Sequence, residues 1–343
     1  MPADAPPTQP ASRTRARALF AVKAAVAAVL ITWLVRSGDL EMGKLAILVE
    51  RPLLLAFNLG VFGVAIVLGA LRYRALLGLA GVTAPVLRLV QLQLTAVFFN
   101  VVVPGNIGGD VVKALYVARD APTSRRTTVL LIVFVERLLG LAGLVLLASL
   151  VTLVRGEELW SSPLLRPLAA VVVTLGAGIV GGAALFVVVM QRAGDRLERW
   201  TGGPSRIARL LNQLVAAMRL LTSGPKHLAV AIAYSMAMHA LGMAFFTAVT
   251  RAVTGVDVPY ASVATVYPLG ILTLILPISP SGLGVGHVAF DRLFDAIGLS
   301  GGATVFNVYL IAQFAPCLFG VIPYLALKRS GELPAAGEAA PPT

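Results

Sequence analysis

The sequence predicts an all-α polytopic membrane protein, and three observations lead to that prediction. Of the 343 residues, 58% are hydrophobic and only 13% are charged, whereas about a quarter of a soluble domain is charged. The apolar residues form long uninterrupted runs, which are typical of membrane-spanning helices. Two further apolar segments are broken by proline and glycine near their middle. We therefore expect about six full transmembrane helices plus two broken, re-entrant hairpins, or about eight helices if a hairpin spans.

Six runs are long enough to cross a hydrocarbon core of about 30 Å. They are Leu19–Val35, Leu53–Leu71, Val129–Val154, Leu164–Met190, Leu228–Val249 and Ala303–Leu327. Together they predict a single transmembrane domain over residues 18–329. The basic segment 1–17 and the tail 330–343 have no apolar periodicity, so we expect both to be disordered.

The excess of positive charge predicts an orientation. Lys and Arg number 28 against 16 Asp and Glu, giving a net charge of +12. The basic residues alternate with the spans and form no separate cationic domain, so they predict cytoplasmic loops and cytoplasmic termini and no nucleic-acid binding. Between the fourth and fifth runs, residues 205–222 have apolar side chains at helical spacing, which predicts an amphipathic helix on the cytoplasmic surface.

The first broken segment runs over Val86–Val103, is interrupted at Pro104–Asp110 and continues to Ala118. Its second half reaches only about 15 Å, half of the hydrocarbon core. A full crossing by the first half would place Arg119 and the following arginines outside, against the positive-inside bias. A re-entrant hairpin entered from the cytoplasm resolves both problems.

The second broken segment runs over Tyr260–Leu276, is interrupted at Pro277–Gly284 and continues to about Gly298. The number of membrane crossings between the two broken segments places the entrance of the second on the opposite face from that of the first. Two hairpins that open to opposite faces are what an inverted-topology repeat would give. Two ordinary pairs of spans with proline-kinked turns are the alternative.

Irregular backbone at membrane depth leaves amides and carbonyls without partners, so both breaks are candidate substrate-binding sites. Helix N-termini favour anions, and Lys113 adds a cation one turn beyond Asp110, which could cap its own helix. The predicted substrate-binding residues here are Asn106, Gly108, Gly109, Asp110, Lys113, Ser281 and Gly282. The alternative for each glycine is a tight helix crossing.

Glu136 and Arg137 lie inside an apolar run, where ionisable side chains usually face a partner or a cavity. We expect Arg137 to meet Asp110 or a substrate anion, and Glu136 to meet Lys113 or to carry a proton. His287 and Asp291, one turn apart, are further candidates for proton coupling.

The motif content argues against an enzyme and against a metal or other cofactor. The sequence has no phosphate loop, HExxH, GxSxG or CxxC pattern, and its one cysteine, Cys317, lies in an apolar stretch. His239, in another apolar span, is expected to be a hydrogen-bonded packing residue.

Several motifs resemble one family. Phe98-Phe99-Asn100, the break Pro104–Asp110 with Lys113, Glu136-Arg137 and the late break Pro277–Gly284 are similar to the lysylphosphatidylglycerol synthase transmembrane, or flippase-like, family. In this chain Ser281-Gly282 and His287 stand where many relatives have a glycine pair and a glutamate. No acidic role is therefore carried over to that position.

The resemblance implies a flippase-like transporter in a prokaryotic cytoplasmic membrane, without the aminoacyltransferase domain of the best-known relatives. Its partners would be membrane lipids, with an anionic, aminoacylated or glycan-linked headgroup passed between leaflets. Two other functions stay open: an accessory subunit or intramembrane enzyme of a lipid-modification pathway, and a secondary transporter of a small anion. The sequence does not predict an oligomeric state.

Overall fold

The computed structural model describes residues 42–102, 108–122, 125–154, 160–161, 163, 165–203, 205–274 and 285–329. Over these ranges the regular structure is helical, with no strand. The α-helices are α1 (Met42–Glu50), α2 (Pro52–Leu79), α3 (Val86–Val102), α4 (Gly108–Asp120), α5 (Arg126–Val154), α6 (Leu165–Thr201), α7 (Arg206–Thr222), α8 (Pro225–Thr254), α9 (Tyr260–Thr273), α10 (Val285–Ala296), α11 (Gly302–Cys317) and α12 (Val321–Arg329).

Five segments of the described chain are long and apolar enough to cross a membrane: α2, α5, α6, α8 and the tract Gly302–Leu327 that joins α11 to α12. They coincide with five of the six runs predicted from the sequence, and they confirm an all-α polytopic membrane protein. The sixth run, Leu19–Val35, lies outside the described residues, as do both predicted disordered tails.

The broken segments form two pairs of short helices. Helices α3 and α4 have 17 and 13 residues, and α9 and α10 have 14 and 12. At 1.5 Å per residue the longest reaches about 26 Å, less than the hydrocarbon core. Helix α3 packs on α4, and α9 packs on α10. The predicted breaks themselves lie outside the described residues.

The α3–α4 contact is close because it occurs at a glycine. A Cβ added at Gly109 would lie 1.7 Å from the carbonyl oxygen of Ala96, so no other residue fits without a shift. The amide of Gly109 donates a hydrogen bond of 2.9 Å to Oδ1 of Asn100. Asn100 on α3 therefore binds a free amide at the start of α4, where a helix has no internal acceptor.

The two pairs belong to different apolar cores. Side chains of α3 and α4 pack with the ends of α2, α5, α8 and α12 in one core, which includes Leu89, Val117 and Val129. Side chains of α9 and α10 pack with α1, α8 and α11 in the other, which includes Val263 and Phe290. The two helix pairs thus pack at opposite ends of the bundle, while the membrane face to which each hairpin opens and the inverted repeat stay predictions.

The amphipathic segment is helix α7. The Ser205 hydroxyl accepts a 3.0 Å hydrogen bond from the amide of Ala208 and so caps the helix. Helix α7 packs on α6 and α5, but Ile207, Leu211 and Met218 are exposed. An apolar face turned away from the bundle is suited to lie on a membrane surface.

Candidate functional site

Three charged side chains from three helices meet inside the bundle. Lys113 on α4 donates to Oε2 of Glu136 on α5 at 2.6 Å, and Arg72 on α2 donates to Oε1 at 3.0 Å. The exposed fraction of the side chain is only 1% for Lys113, 4% for Glu136 and 12% for Arg72. We call Arg72, Lys113 and Glu136 the charge cluster. With all three ionised it carries a net positive charge of one.

Polar and aromatic neighbours surround the charge cluster. Lys113 also donates to the side-chain oxygen of Gln93 at 3.0 Å, and its ammonium lies 4.4 Å from the centre of the Tyr73 ring. Arg72 donates to the hydroxyl of Ser235 at 2.9 Å. Each cation is therefore held by groups besides Glu136, as a buried charge requires.

A glycine on α5 lets this arrangement form. A Cβ added at Gly143 would lie 2.5 Å from Cβ of Ser235, so α5 and α8 approach closely at this point. One turn earlier, the Cβ position of Gly140 lies 3.5 Å from the guanidinium of Arg72, an ordinary van der Waals distance, so Arg72 passes directly beside α5 here. Helix α8 can therefore present Ser235 to an arginine that emerges from α2.

Two donors of this region are without a hydrogen-bond partner in the part of the chain that the structure describes. They are Nε of Arg72 and the hydroxyl of Tyr73. Buried donors are rarely left unpaired, because each costs about 1–3 kcal/mol. Both could donate to the oxygen of a ligand.

A second ion pair, between Arg137 and Asp110, lies at the surface of the bundle. The Arg137 side chain is 43% exposed and that of Asp110 is 16% exposed. The neighbouring exposed side chains of α5 are apolar, namely Leu130, Phe134, Leu138 and Leu141. Arg137 therefore stands on a face that would contact lipid, directly beside the buried Glu136 in sequence.

The charge cluster is deep along the helix axis. Glu136 lies ten residues after the start of α5 at Arg126, which is about 15 Å along a helix and about half of the hydrocarbon core. Ionisable groups at that depth usually face a partner or a cavity that a ligand can enter.

Two contacts predicted from the sequence are present: Arg137 meets Asp110, and Glu136 meets Lys113. Asn100 accepts from the Gly109 amide and the Asp110 carboxylate accepts from Arg137, while a capping role of Asp110 stays a prediction. Gly108 and Gly109 begin α4, and at Gly109 the tight-crossing alternative holds. The predicted substrate roles of these residues stay predictions.

The other predicted site residues are not in the charge cluster. Asn106, Ser281 and Gly282 lie outside the described residues. His287 on α10 has Nε2 2.6 Å from Oδ1 of Asn307, and Asp291 accepts a 2.7 Å hydrogen bond from the amide of Ala303, at the start of α11. Helix α10 packs in the core at the opposite end, so a proton-coupling role for these two residues would concern the second hairpin.

His239 has the packing role expected of it, since its Nε2 lies 3.1 Å from the carbonyl oxygen of Gly140.

Sequence reasoning missed four residues of the site: Arg72, Tyr73, Gln93 and Ser235. The apolar run Leu53–Leu71 ends just before Arg72, so the sequence predicts that Arg72 and Arg74 lie on the cytoplasmic side, beyond the span. Helix α2 instead continues to Leu79, and Leu76 and Leu77 are fully buried. Those two leucines after the arginines were the available signal.

An open crevice of about 670 Å³ lies elsewhere, lined by the start of α2, the end of α8 and Tyr260. Arg51 and Arg251 line it, and Arg251 already donates to Asp257 and to the carbonyl of Val258. Arg72 is about 30 Å further along α2. The crevice is therefore separate from the charge cluster.

The family model described as the lysylphosphatidylglycerol synthase TM region matches residues 20–323 of this chain. The matched range includes the charge cluster, the Arg137–Asp110 pair and both hairpins. No curated protein and no solved structure shows significant similarity to the chain.

Proposed function

Because the chain belongs to the lysylphosphatidylglycerol synthase transmembrane family, we propose that it moves a lipid with an anionic, phosphate-containing headgroup between the leaflets of the membrane. A single observation carries the proposal: a buried charge cluster with one excess positive charge shares helices α4 and α5 with a partly exposed ion pair.

Stability alone gives little reason for such a cluster. Each buried ion loses several kcal/mol of hydration, and apolar residues of similar volume often stabilise a protein equally well or better. In the membrane the same charges are costly, and they commonly mark the path of a substrate. The excess cation therefore favours a function that needs an anion at this place.

The position of Arg137 supports access from the side. Its half-exposed guanidinium stands among Phe134, Leu138 and other exposed apolar side chains. A headgroup could meet Arg137 and Asp110 first and the charge cluster next, while its acyl chains stay in the surrounding lipid. Lys113 and Asp110 both belong to α4, so movement of the first hairpin would move one partner of the Lys113–Glu136 pair and one partner of the Arg137–Asp110 pair.

The proposal includes a location and an orientation. The membrane would be the cytoplasmic membrane of a prokaryote, and both termini would face the cytoplasm, because the basic connections between helices favour that side. The lipid would leave the protein chemically unchanged, so the activity proposed is transport and not catalysis.

Purified protein in liposomes tests the proposal. The vesicles contain phosphatidylglycerol with a trace of its fluorescent analogue, and dithionite added outside reduces only the outer leaflet. Exchange between leaflets beyond that of protein-free vesicles supports the proposal, and reduction that stops at half in both overturns it.

Two further readouts separate the alternatives. Chemically altered lipid in the vesicles or in expressing cells would indicate an enzyme or an accessory subunit of one. Uptake of labelled phosphate by vesicles in which lipid exchange is absent would indicate a transporter of a small anion.

A further inference from the structure

We propose that Glu136 is a resident counter-anion, and that the phosphate of an incoming lipid takes its place between Lys113 and Arg72. The inference rests on the proposed function and adds how the headgroup is bound. Its basis is the way in which one carboxylate is shared. Oε2 accepts from Lys113 at 2.6 Å, while Oε1 accepts from Arg72 at 3.0 Å.

A phosphodiester could take over this shared position. It has two non-bridging oxygens on one atom and a single negative charge, as a carboxylate has, and arginine binds both groups with similar geometry. Glu136 stays on α5 when the phosphate binds, so with all groups ionised the net charge of the buried region falls from plus one to zero. The two cations then balance two anions, the phosphate and the displaced carboxylate, and the exchange avoids the large cost of an uncompensated buried charge.

The unpartnered donors favour a ligand with more oxygens than a carboxylate. Nε of Arg72 and the hydroxyl of Tyr73 have no hydrogen-bond partner among the described residues. A phosphate also carries ester oxygens, so it could accept from these donors while two oxygens bind the cations. The ligand class is therefore a phosphodiester lipid, and a lipid without phosphate should not compete with Glu136.

Glu136→Gln tests the exchange, because an amide of nearly the same shape removes the competing charge. Native mass spectrometry of the purified protein titrated with phosphatidylglycerol gives the affinity, with diacylglycerol as the phosphate-free lipid. We expect phosphatidylglycerol to bind at least about fivefold more tightly than to the wild type, a typical coupling between two sites. Binding of diacylglycerol should not change.

Three further variants complete the design. Glu198→Gln makes the same chemical change on α6, where Glu198 pairs with Arg219, and should bind as the wild type does. Glu136→Asp keeps the charge but shortens the side chain, so its affinity for phosphatidylglycerol should rise less than that of Glu136→Gln. It serves as the test if Glu136→Gln does not fold. Lys113→Gln combined with Glu136→Gln restores the wild-type net charge of one but removes a cation, so the gain should disappear.

Phosphatidylglycerol affinity that is unchanged or lower in folded Glu136→Gln and Glu136→Asp overturns the inference. Lipid exchange by the wild type in the same preparation is measured separately. Exchange without an affinity gain leaves the proposed function standing and removes the displacement by phosphate. An affinity gain without lipid exchange supports the displacement by phosphate and overturns the proposed function, since the anion site is then present in a protein that does not transport.

Discussion

Lys113 and Glu136 form an ion pair of 2.6 Å between the first hairpin and helix α5, and both side chains are almost completely buried. This contact fixes α4, half of a short hairpin, to a long membrane-spanning helix. Breaking it would leave two buried charges without full compensation. A ligand that replaces Glu136 as the partner of Lys113 would therefore also change what holds the hairpin in place.

Arg72→Gln should impair both stability and transport. It removes the bonds from Arg72 to Glu136 and to Ser235, and the loss of one partner of a buried ion pair costs about 3–5 kcal/mol. We expect a clearly lower thermal unfolding temperature in detergent and at least about a tenfold loss of lipid exchange.

Arg74 offers a matched control for that variant. It lies two residues further on the same helix and is exposed, so Arg74→Gln should keep the wild-type unfolding temperature and exchange rate. Equal effects of the two substitutions would show that the total positive charge of α2 matters, and not the position of Arg72 in the charge cluster.

Reversal of the Arg137–Asp110 ion pair should show whether transport needs only the contact between α4 and α5 or a cation at position 137 itself. Arg137→Asp alone places two carboxylates together and should abolish exchange. Combined with Asp110→Arg it restores an ion pair at the same place. If the pair mainly holds α4 against α5, the double variant should recover most of the activity in the liposome assay.

Failure of the double variant, despite a recovered unfolding temperature, would show that the cation is needed on α5 itself. In that case Arg137 contacts the headgroup, and its bond to Asp110 is not the main reason for its presence.

Gly109→Ala should destabilise the first hairpin. The added methyl group would meet the backbone of Ala96 at 1.7 Å, and overpacking costs about 1–3 kcal/mol or more when backbone has to move. The unfolding temperature in detergent should fall. Gly182→Ala on α6 is the control, because nothing lies within 4 Å of its Cβ position, and it should be neutral. A neutral Gly109→Ala would contradict the close crossing of α3 and α4.

Much of the fold could be predicted, because a long run of apolar residues indicates a helix that is surrounded by lipid and not by water. Five of six predicted spans have described counterparts, and the short helices appear where proline and glycine interrupt the pattern. The pairings of Arg137 and Glu136 were also predictable, since each charge in an apolar run needs a partner.

The rest of the site depended on tertiary structure. Arg72 ends an apolar run and so looks like a loop residue, but two buried leucines after it continue α2 into the bundle. Gln93 and Ser235 are uncharged polar residues within apolar helices, and the sequence around them does not show which charged side chain they contact. Only the close approach of α8 to Gly143 shows that Ser235 faces Arg72.

The initial rate of phosphatidylglycerol exchange in liposomes containing Lys113→Gln tests the central claim most directly. Lys226→Gln is the control, since Lys226 is exposed near the start of α8. If the charge cluster binds the headgroup phosphate, Lys113→Gln should lose exchange by about tenfold or more, while Lys226→Gln keeps the wild-type rate. A folded Lys113→Gln protein that exchanges phosphatidylglycerol at the wild-type rate would contradict the account.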